Sequence, residues 1–421
     1  MGSPRSLRPL GSATGLVLLA LGACDQGGAR PAPQAAPPPK PVATATASTL
    51  PTLEASEPLV PPTKPEPPAA LKENEKNDRP VENSRFLLDG LNDVGPAAPA
   101  SAFAQGVVMV TRSDELSIAK LEQAPSKSKK PAPSAIEPTR RGSEDFWPVA
   151  RGPAVSATHA YWVSKGRVVR RPLAGGDLQV LASDARDGTR VAVAGSPDAV
   201  AYVARPVGKQ DARALLRLHD GKTLELTPEG AGASSVSLAA VGEDLIASSI
   251  DGRSGMTPVH ARRYRAKSGQ LDPDVVVWVA GATQGMTEIG SVGSATGSWL
   301  FMPVEQDSTH FGLATLALGT EPKMDPPLRF RTYENGLDRS PAAGAIVCGA
   351  PTAIYVRPVD ARPSANQELA LSELTVAEAA SSEVVASARG FADVSLYAIP
   401  EGAVLCYVAD RRTWARLIRC K

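Results

Sequence analysis

The chain has little of what chemistry at a protein site usually requires. Its four histidines, His159, His219, His260 and His310, stand apart from one another with no Glu or Cys at ligand spacing. That pattern argues against a zinc centre or a histidine-activated nucleophile. No serine lies in a nucleophile-elbow pattern, and no glycine-rich loop has phosphate-binding form. The four cysteines lack the paired spacing of a metal site. Lys and Arg total 45 against 44 Asp and Glu, so the formal net charge is only +1 and no global field draws nucleic acid. Long apolar runs and sustained helical periodicity are missing as well. The sequence therefore predicts no cofactor, no metal, no nucleic-acid partner and no spanning helix, which needs about 20 apolar residues.

What the chain does have begins at its front. Arg5 and Arg8 precede an apolar run from Leu16 to Leu21, and Leu21-Gly22-Ala23-Cys24 follows. A charged n-region, a short apolar h-region and small residues before a cysteine make a bacterial lipoprotein signal. Residues 1–23 are then the signal peptide, and Cys24 becomes the lipid-modified first residue of the mature chain. Palmitate and its companion acyl chains give a firm anchor, because each buried CH₂ adds about 0.8 kcal/mol. The expectation is a membrane-attached protein of the cell envelope, on the periplasmic side or at the cell surface. Asp25 follows the modified cysteine and leaves the choice of membrane open.

Residues 24–82 form a linker. About 14 of the 39 prolines fall between Pro31 and Pro80, among Ala, Thr, Glu and Lys. Such a composition buries too little apolar surface to offset chain entropy, and its prolines favour extended conformations. A disordered tether of about 58 residues has a root-mean-square span near 45 Å, approaching roughly 180 Å at full polyproline extension.

From residue 83 to 421 short apolar strands alternate with Gly, Pro, Asp and Asn turns. Seven segments read as equivalent buried strands: Val107 to Arg112, Ala160 to Lys165, Ala199 to Arg205, Asp244 to Ile250, Trp299 to Val304, Thr352 to Arg357 and Ala403 to Ala409. Their starts recur at roughly 40 to 55 residues, the period of a four-stranded propeller blade. Each is followed by an alternating partner, as in Leu215, Arg217 and His219. Outer strands are expected at Asp177 to Ala182, Thr223 to Thr227, Asp274 to Ala280, Leu328 to Tyr333 and Glu383 to Ser387. Inner strands are expected at Ala154 to His159, Arg190 to Ala194, Ser235 to Val241, Thr287 to Val292, Ala343 to Cys348 and Asp393 to Ala398. The last unit is one strand short at Lys421, and Ser84 to Leu88 is free to fill the gap, removing an exposed edge. The predicted fold is all-β, a seven-bladed β-propeller closed by an N-terminal strand.

Two blades carry a likeness. His159-Ala160-Tyr161-Trp162-Val163, with Gly166 to Gly176 after it, resembles the Tyr-Trp repeat of propellers in delta-proteobacterial lipoproteins and, more distantly, in low-density-lipoprotein receptors. Ser196-Pro197-Asp198, with Ala201-Tyr202-Val203, resembles the repeat of the periplasmic Tol-system propeller. Each likeness covers one blade and implies the fold; a propeller hosts many unrelated functions.

In propellers the loops joining second and third strands gather around one channel mouth, where concave sites form. The candidate binding residues on those loops are Arg205, Arg213, Arg253, His260, Asp307, His310, Arg362, Arg411 and Arg412, since arginine grips carboxylates and stacks on aromatics. No catalytic residue is assigned. The insertion from about Gln123 to Glu144 carries Lys127, Lys129, Lys130, Arg140 and Arg141 among prolines and reads as an excursion. In an oxidising compartment Cys348, Cys406 and Cys420 allow one bridge. Cys406 with Cys420, Cys348 with Cys406, and three buried thiols are all open. The expected function is a non-enzymatic binding module for an envelope protein or glycan. Alternatives are an envelope hydrolase or lyase using carboxylates such as Asp251, Glu305 and Asp307, and a structural spacer.

Overall fold

The computed structural model describes residues 86–111, 113–121, 152–206, 211–228, 230–253, 257–280, 285–286, 288–305, 310–334, 341–358, 367–374, 383–388 and 390–421. The signal peptide, the proline-rich tether, Cys24, the basic insertion, Asp307 and Arg362 lie outside the described residues, as does the side chain of His310.

Every described element is a strand, and the strands fall into seven antiparallel sheets. Within blades 1–6 chain order is spatial order, as in blade 3: Ala192–Ala194, Ala199–Ala204, Arg213–Arg217, Thr223–Glu225. The innermost strand of each blade touches the innermost strand of the next, and that of blade 7 (Phe391–Ile399) touches that of blade 1 (Ala100–Phe103). The sheets therefore close into a ring, the seven-bladed propeller expected from the period. Because side chains alternate along each strand, every blade is apolar on both faces. Tyr161 packs toward Val200 and Tyr202 of blade 3, whereas its neighbour Trp162 packs toward Val108 and Val110 of blade 1.

The Tyr-Trp motif ties those blades together by polar contacts. The Tyr161 hydroxyl donates to Asp198 Oδ2 of blade 3 at 2.5 Å. Trp162 Nε1 and Ser164 Oγ donate to the two oxygens of Asp114 in blade 1, at 3.1 and 2.9 Å. Burial and then the Asp198 contact and charge push the Tyr161 phenol from 10.0 up to about 12. A raised acid contributes stability that is whole below pH 10 and is lost as pH climbs from 10 toward 12. Tyr161→Phe cannot ionise and is expected to flatten the fall of melting temperature across that window; equal slopes for the two proteins would discard the coupling.

Blade 7 closes the ring. Its inner three strands, Phe391–Ile399, Gly402–Ala409 and Arg412–Cys420, come from the C-terminal part of the chain, and its outer edge comes from near residue 90. Two short strands, Phe86–Leu88 and Asn92–Pro96, supply that edge in place of the single strand expected at Ser84 to Leu88. The first pairs Cys420 to Ile418, the second Ala415 to Arg412. The break falls at Asp89, where Arg419 Nε takes the carboxylate at 2.7 Å and Arg416 Nε takes the carbonyl at 2.9 Å. Blade 1 has three described strands, and its first, Ala100–Phe103, went unassigned in the sequence.

The disulfide joins Cys348 to Cys420, a pairing absent from the alternatives weighed above. Cys406 lies opposite Ala415, and both face blade 1 with Val404 and Val107. Ile418, two residues before Cys420, faces blade 6 with Val347. Cys406 and Cys420 thus point from opposite faces of one sheet, and Cys420 meets the first turn of blade 6. Cys406 stays a buried free thiol whose pKa burial pushes up, so it is chemically quiet. A bridge spanning 72 residues constrains the unfolded chain strongly. Its reduction is expected to cost about 2–4 kcal/mol, read as a lower urea midpoint with reductant and no change in Cys348→Ser.

Candidate functional site

Inner strands of adjacent blades approach one another closely around the propeller axis, and at some positions only glycine fits. Gly293 shows the constraint: a Cβ there would clash with the Ala240 carbonyl of blade 4. Gly290 and Gly344 likewise make way for the Phe301 ring. What remains is a central cavity of about 210 Å³, lined by residues of all seven inner strands or the connectors leading into them.

The mouth carries the charge. Arg190 enters blade 3, Glu288 enters blade 5 and Asp393 is near the start of blade 7, so all three lie where connectors deliver the chain to the axis. Arg190 Nη2 donates to Asp393 Oδ1 at 2.9 Å, linking blades that are not neighbours. Asp393 Oδ2 accepts the Gly152 amide of blade 2 at 2.5 Å, and Oδ1 also accepts the Val394 amide at 2.9 Å. Gly152 is pressed so closely on blade 1 that a Cβ would lie 2.0 Å from the Ala100 carbonyl oxygen. Burial alone would lower the Arg190 pKa, but the Asp393 and Glu288 charges and the Asp393 hydrogen bond raise it, so the guanidinium stays cationic. One arginine is therefore fixed between two carboxylates at the opening.

The residues expected on this face have mixed fates. Arg205 is exposed but turns back, donating Nη2 to the Ser183 carbonyl at 2.8 Å. Arg213 is a strand residue facing Glu225 across 3.4 Å, an exposed pair of little energetic weight. Arg253 closes on Asp251 with two nitrogens, at 2.6 to 3.1 Å. Burial would raise the Asp251 carboxyl, yet the Arg253 guanidinium and the amides of Arg253 and Gly232 hold it below the usual range. Arg411 is exposed in the two-residue turn of blade 7, where it and Asp410 both adopt positive φ, of 62° and 51°. Arg412 begins the last strand and pairs with Asp93 of the closing edge at 2.5 Å.

His260 requires a correction, because it is not a loop residue. The third strand of blade 4 begins at Thr257, so His260 sits inside it, 7 % exposed, with Nδ1 2.7 Å from Asp274 Oδ2. Blade 4 pairs it with Ser249, whose neighbour two places on, Asp251, is also buried. Among the described residues no group of three or more His, Cys, Asp or Glu is placed to hold a metal ion.

Arg190, Glu288, Asp393 and Gly152 escaped the sequence reading, which looked to the loops between second and third strands. A signal existed: each of Arg190, Glu288 and Asp393 is a charge at the head of an inner segment otherwise made of small and apolar residues. That is where a charge survives beside the axis without being buried in an inter-blade core.

No family profile matches the chain, and no curated protein does. A solved structure with a partial likeness is an auxiliary nutrient binding protein from Bacteroides thetaiotaomicron, at 8% identity and a TM-score of 0.37, covering 63% of this chain and 67% of that one.

Proposed function

We propose that the chain is a lipid-anchored binding module of the bacterial cell envelope, and that the face around the channel mouth takes an envelope protein or glycan. The observation that carries the reading is the Arg190–Asp393 link across the mouth, made by non-adjacent blades and braced by the Gly152 amide. A concave opening with a few convergent, pre-positioned polar groups is the usual form of a recognition site. Exposed Arg411 supports the same face, since its turn joins the second and third strands of blade 7, at the end of the blade where the chain also enters the inner strand. The hydrolase reading loses Asp251, because a carboxylate gripped by arginine and held ionised is a poor general acid.

Two measurements test the proposal. A photo-crosslinking residue at Arg411 in cells should give a discrete product that the same group at Thr223, on the outer edge of blade 3, does not give. Identical patterns from both positions would remove the face assignment. Cys24→Ser should move the protein from the membrane pellet to the soluble fraction and abolish palmitate labelling; continued labelling would end the lipoprotein reading.

A further inference from the structure

The two N-terminal strands at the edge of blade 7 are fastened in unlike ways. Asn92–Pro96 pairs Ala415 to Arg412 and is also tied by the Arg412–Asp93 ion pair and the Thr413 bond to the Pro96 carbonyl. Phe86–Leu88 is three residues long, and its ladder partners are Cys420, Arg419 and Ile418. Its footing is therefore the end of the last strand, which the Cys348–Cys420 bridge binds to blade 6. Phe86 stands directly opposite Cys420, and Phe86 and Leu88 pack into the core between blades 6 and 7 with Val347, the residue before Cys348. The bridge thus holds the footing of the first edge strand and not of the second.

The bridge is also within reach of solvent. Cys348 is exposed and Cys420 half-buried, whereas the free thiol of Cys406 is only 1 % exposed. Cys348 takes the first place of the two-residue turn between Ala342–Val347 and Ala350–Pro358, at φ 52°, and Gly349 follows at 77°. Such turns prefer Asn, Asp or Gly at that place, so the turn itself does not call for a cysteine. Exposed bridges exchange with external thiols more readily than buried ones.

We propose that Cys348–Cys420 is a reducible latch: a dithiol opens it in the folded protein, and opening releases Phe86–Leu88 while Asn92–Pro96 stays paired. A thiolate of the dithiol attacks the exposed Cys348 Sγ, the S–S bond breaks, and Cys420 leaves as a thiolate that takes up a proton. The second thiol of the reductant, giving up its proton, then displaces Cys348 from the mixed disulfide, and Cys348 is protonated in turn. The protein gains two electrons and two protons as two thiols, and the dithiol is oxidised to its own disulfide. Opening stops at Asp89, whose carbonyl takes Arg416 Nε and whose amide donates to the Leu417 carbonyl. Ile418 to Cys420 is left with a bare outer edge. The inference is independent of the channel mouth.

The full chain, held in dithiothreitol without denaturant, is labelled with maleimide and mapped by peptide mass. Cys348 and Cys420 are expected to label while Cys406 stays blocked, so the buried thiol reports whether the rest of the protein remained folded. Labelling of Cys406 to the same extent would mean that reduction needs unfolding, and overturns the latch; a bridge that never labels does so too. Amide exchange then locates the opening. With reductant, exchange should rise at least about tenfold across Phe86–Leu88 and Ile418 to Cys420, and change less than about twofold across Asn92–Pro96, because only the first stretch loses its footing. Cys348→Ser combined with Cys420→Ser should show the same split without reductant. An equal rise in both stretches would make the bridge a general staple, and no rise in either would make it idle; both results overturn the proposal.

Discussion

A chain lacking residues 1–96 is expected to lose its cooperative thermal transition and to associate, whereas one lacking only residues 1–84 should melt like the full-length protein. The difference between the two is the outer edge of blade 7. Residues 86–96 contribute the only described strands on the outer side of Arg412–Cys420, through two stretches of pairing. With them go the Arg419–Asp89 and Arg412–Asp93 ion pairs, the Arg416 bond to the Asp89 carbonyl, and the Thr413 bond to the Pro96 carbonyl. Phe86 and Leu88 also pack on the core between blades 6 and 7, and Val94 on that between blades 7 and 1. A nine-residue strand would then present a bare row of N–H and C=O groups, a template for another chain. Ring closure makes the loss global, because blade 7 touches both blade 6 and blade 1. Circular dichroism melting and sedimentation read the result. A truncation at 96 that melts at the parent temperature as a monomer would show that the ring does not need its N-terminal clasp.

Much of this architecture was written in the alternation of side chains. Predicted outer strands at Leu328 to Tyr333 and Glu383 to Ser387 match Leu328–Glu334 and Glu383–Ala388, because one turn after a buried hairpin forces the chain to the sheet edge. The outer strand of blade 4 is split, with Gln270–Leu271 and Val275–Ala280 both pairing the same partner, since Pro273 between them has no N–H to give the ladder. Register was harder to read. The last hairpin turns on only Asp410 and Arg411, two residues that tolerate positive φ at some cost, and this tight turn sets Cys406 opposite Ala415 and away from Cys420. The Cys348–Cys420 bridge was hidden for a related reason. Alternation tells which face of a blade a residue occupies, but the partner on the next blade depends on how two sheets stack.

The mouth group lay further out of reach. Arg190 and Asp393 are 203 residues apart in the chain, and nothing local reveals that blades 3 and 7 meet across the axis. Arg205, Arg213 and Arg253 are expected on the loops between second and third strands, yet the fold pairs each with a neighbour on its own or an adjoining blade. In a propeller, short-range charge patterns mostly report short-range salt bridges, and the axis is read from the heads of inner strands.

Asp393→Ala is expected to destabilise the protein by about 3–5 kcal/mol, the usual consequence of removing one partner from a buried ion pair. Asp393 is 6 % exposed and holds three donors at once: the Arg190 guanidinium and the Gly152 and Val394 amides. Alanine strands all three. Arg190, at 28 % exposure, recovers some hydration, but Gly152 is pinned against the Ala100 carbonyl and its amide cannot turn away. The charge and the hydrogen bonds can be separated. Asp393→Asn keeps one acceptor oxygen, enough for the Gly152 amide that Oδ2 now accepts, and gives up the oxygen that takes Val394 and Arg190; combining it with Arg190→Met removes both charges without emptying the space. That double variant should lose only about 1–3 kcal/mol, the cost of the one buried amide it leaves without an acceptor, because well-packed neutral replacements of a buried pair are otherwise often neutral. Asp393→Asn alone, which leaves Arg190 facing an uncharged amide, should fall between the two. Urea titration of the parent, both single variants and the pair completes a cycle whose coupling should exceed about 0.5 kcal/mol, the limit within which independent sites add. Additive single effects would mean that Arg190 and Asp393 do not act together, and the mouth would lose the fixed polar centre on which its recognition role depends.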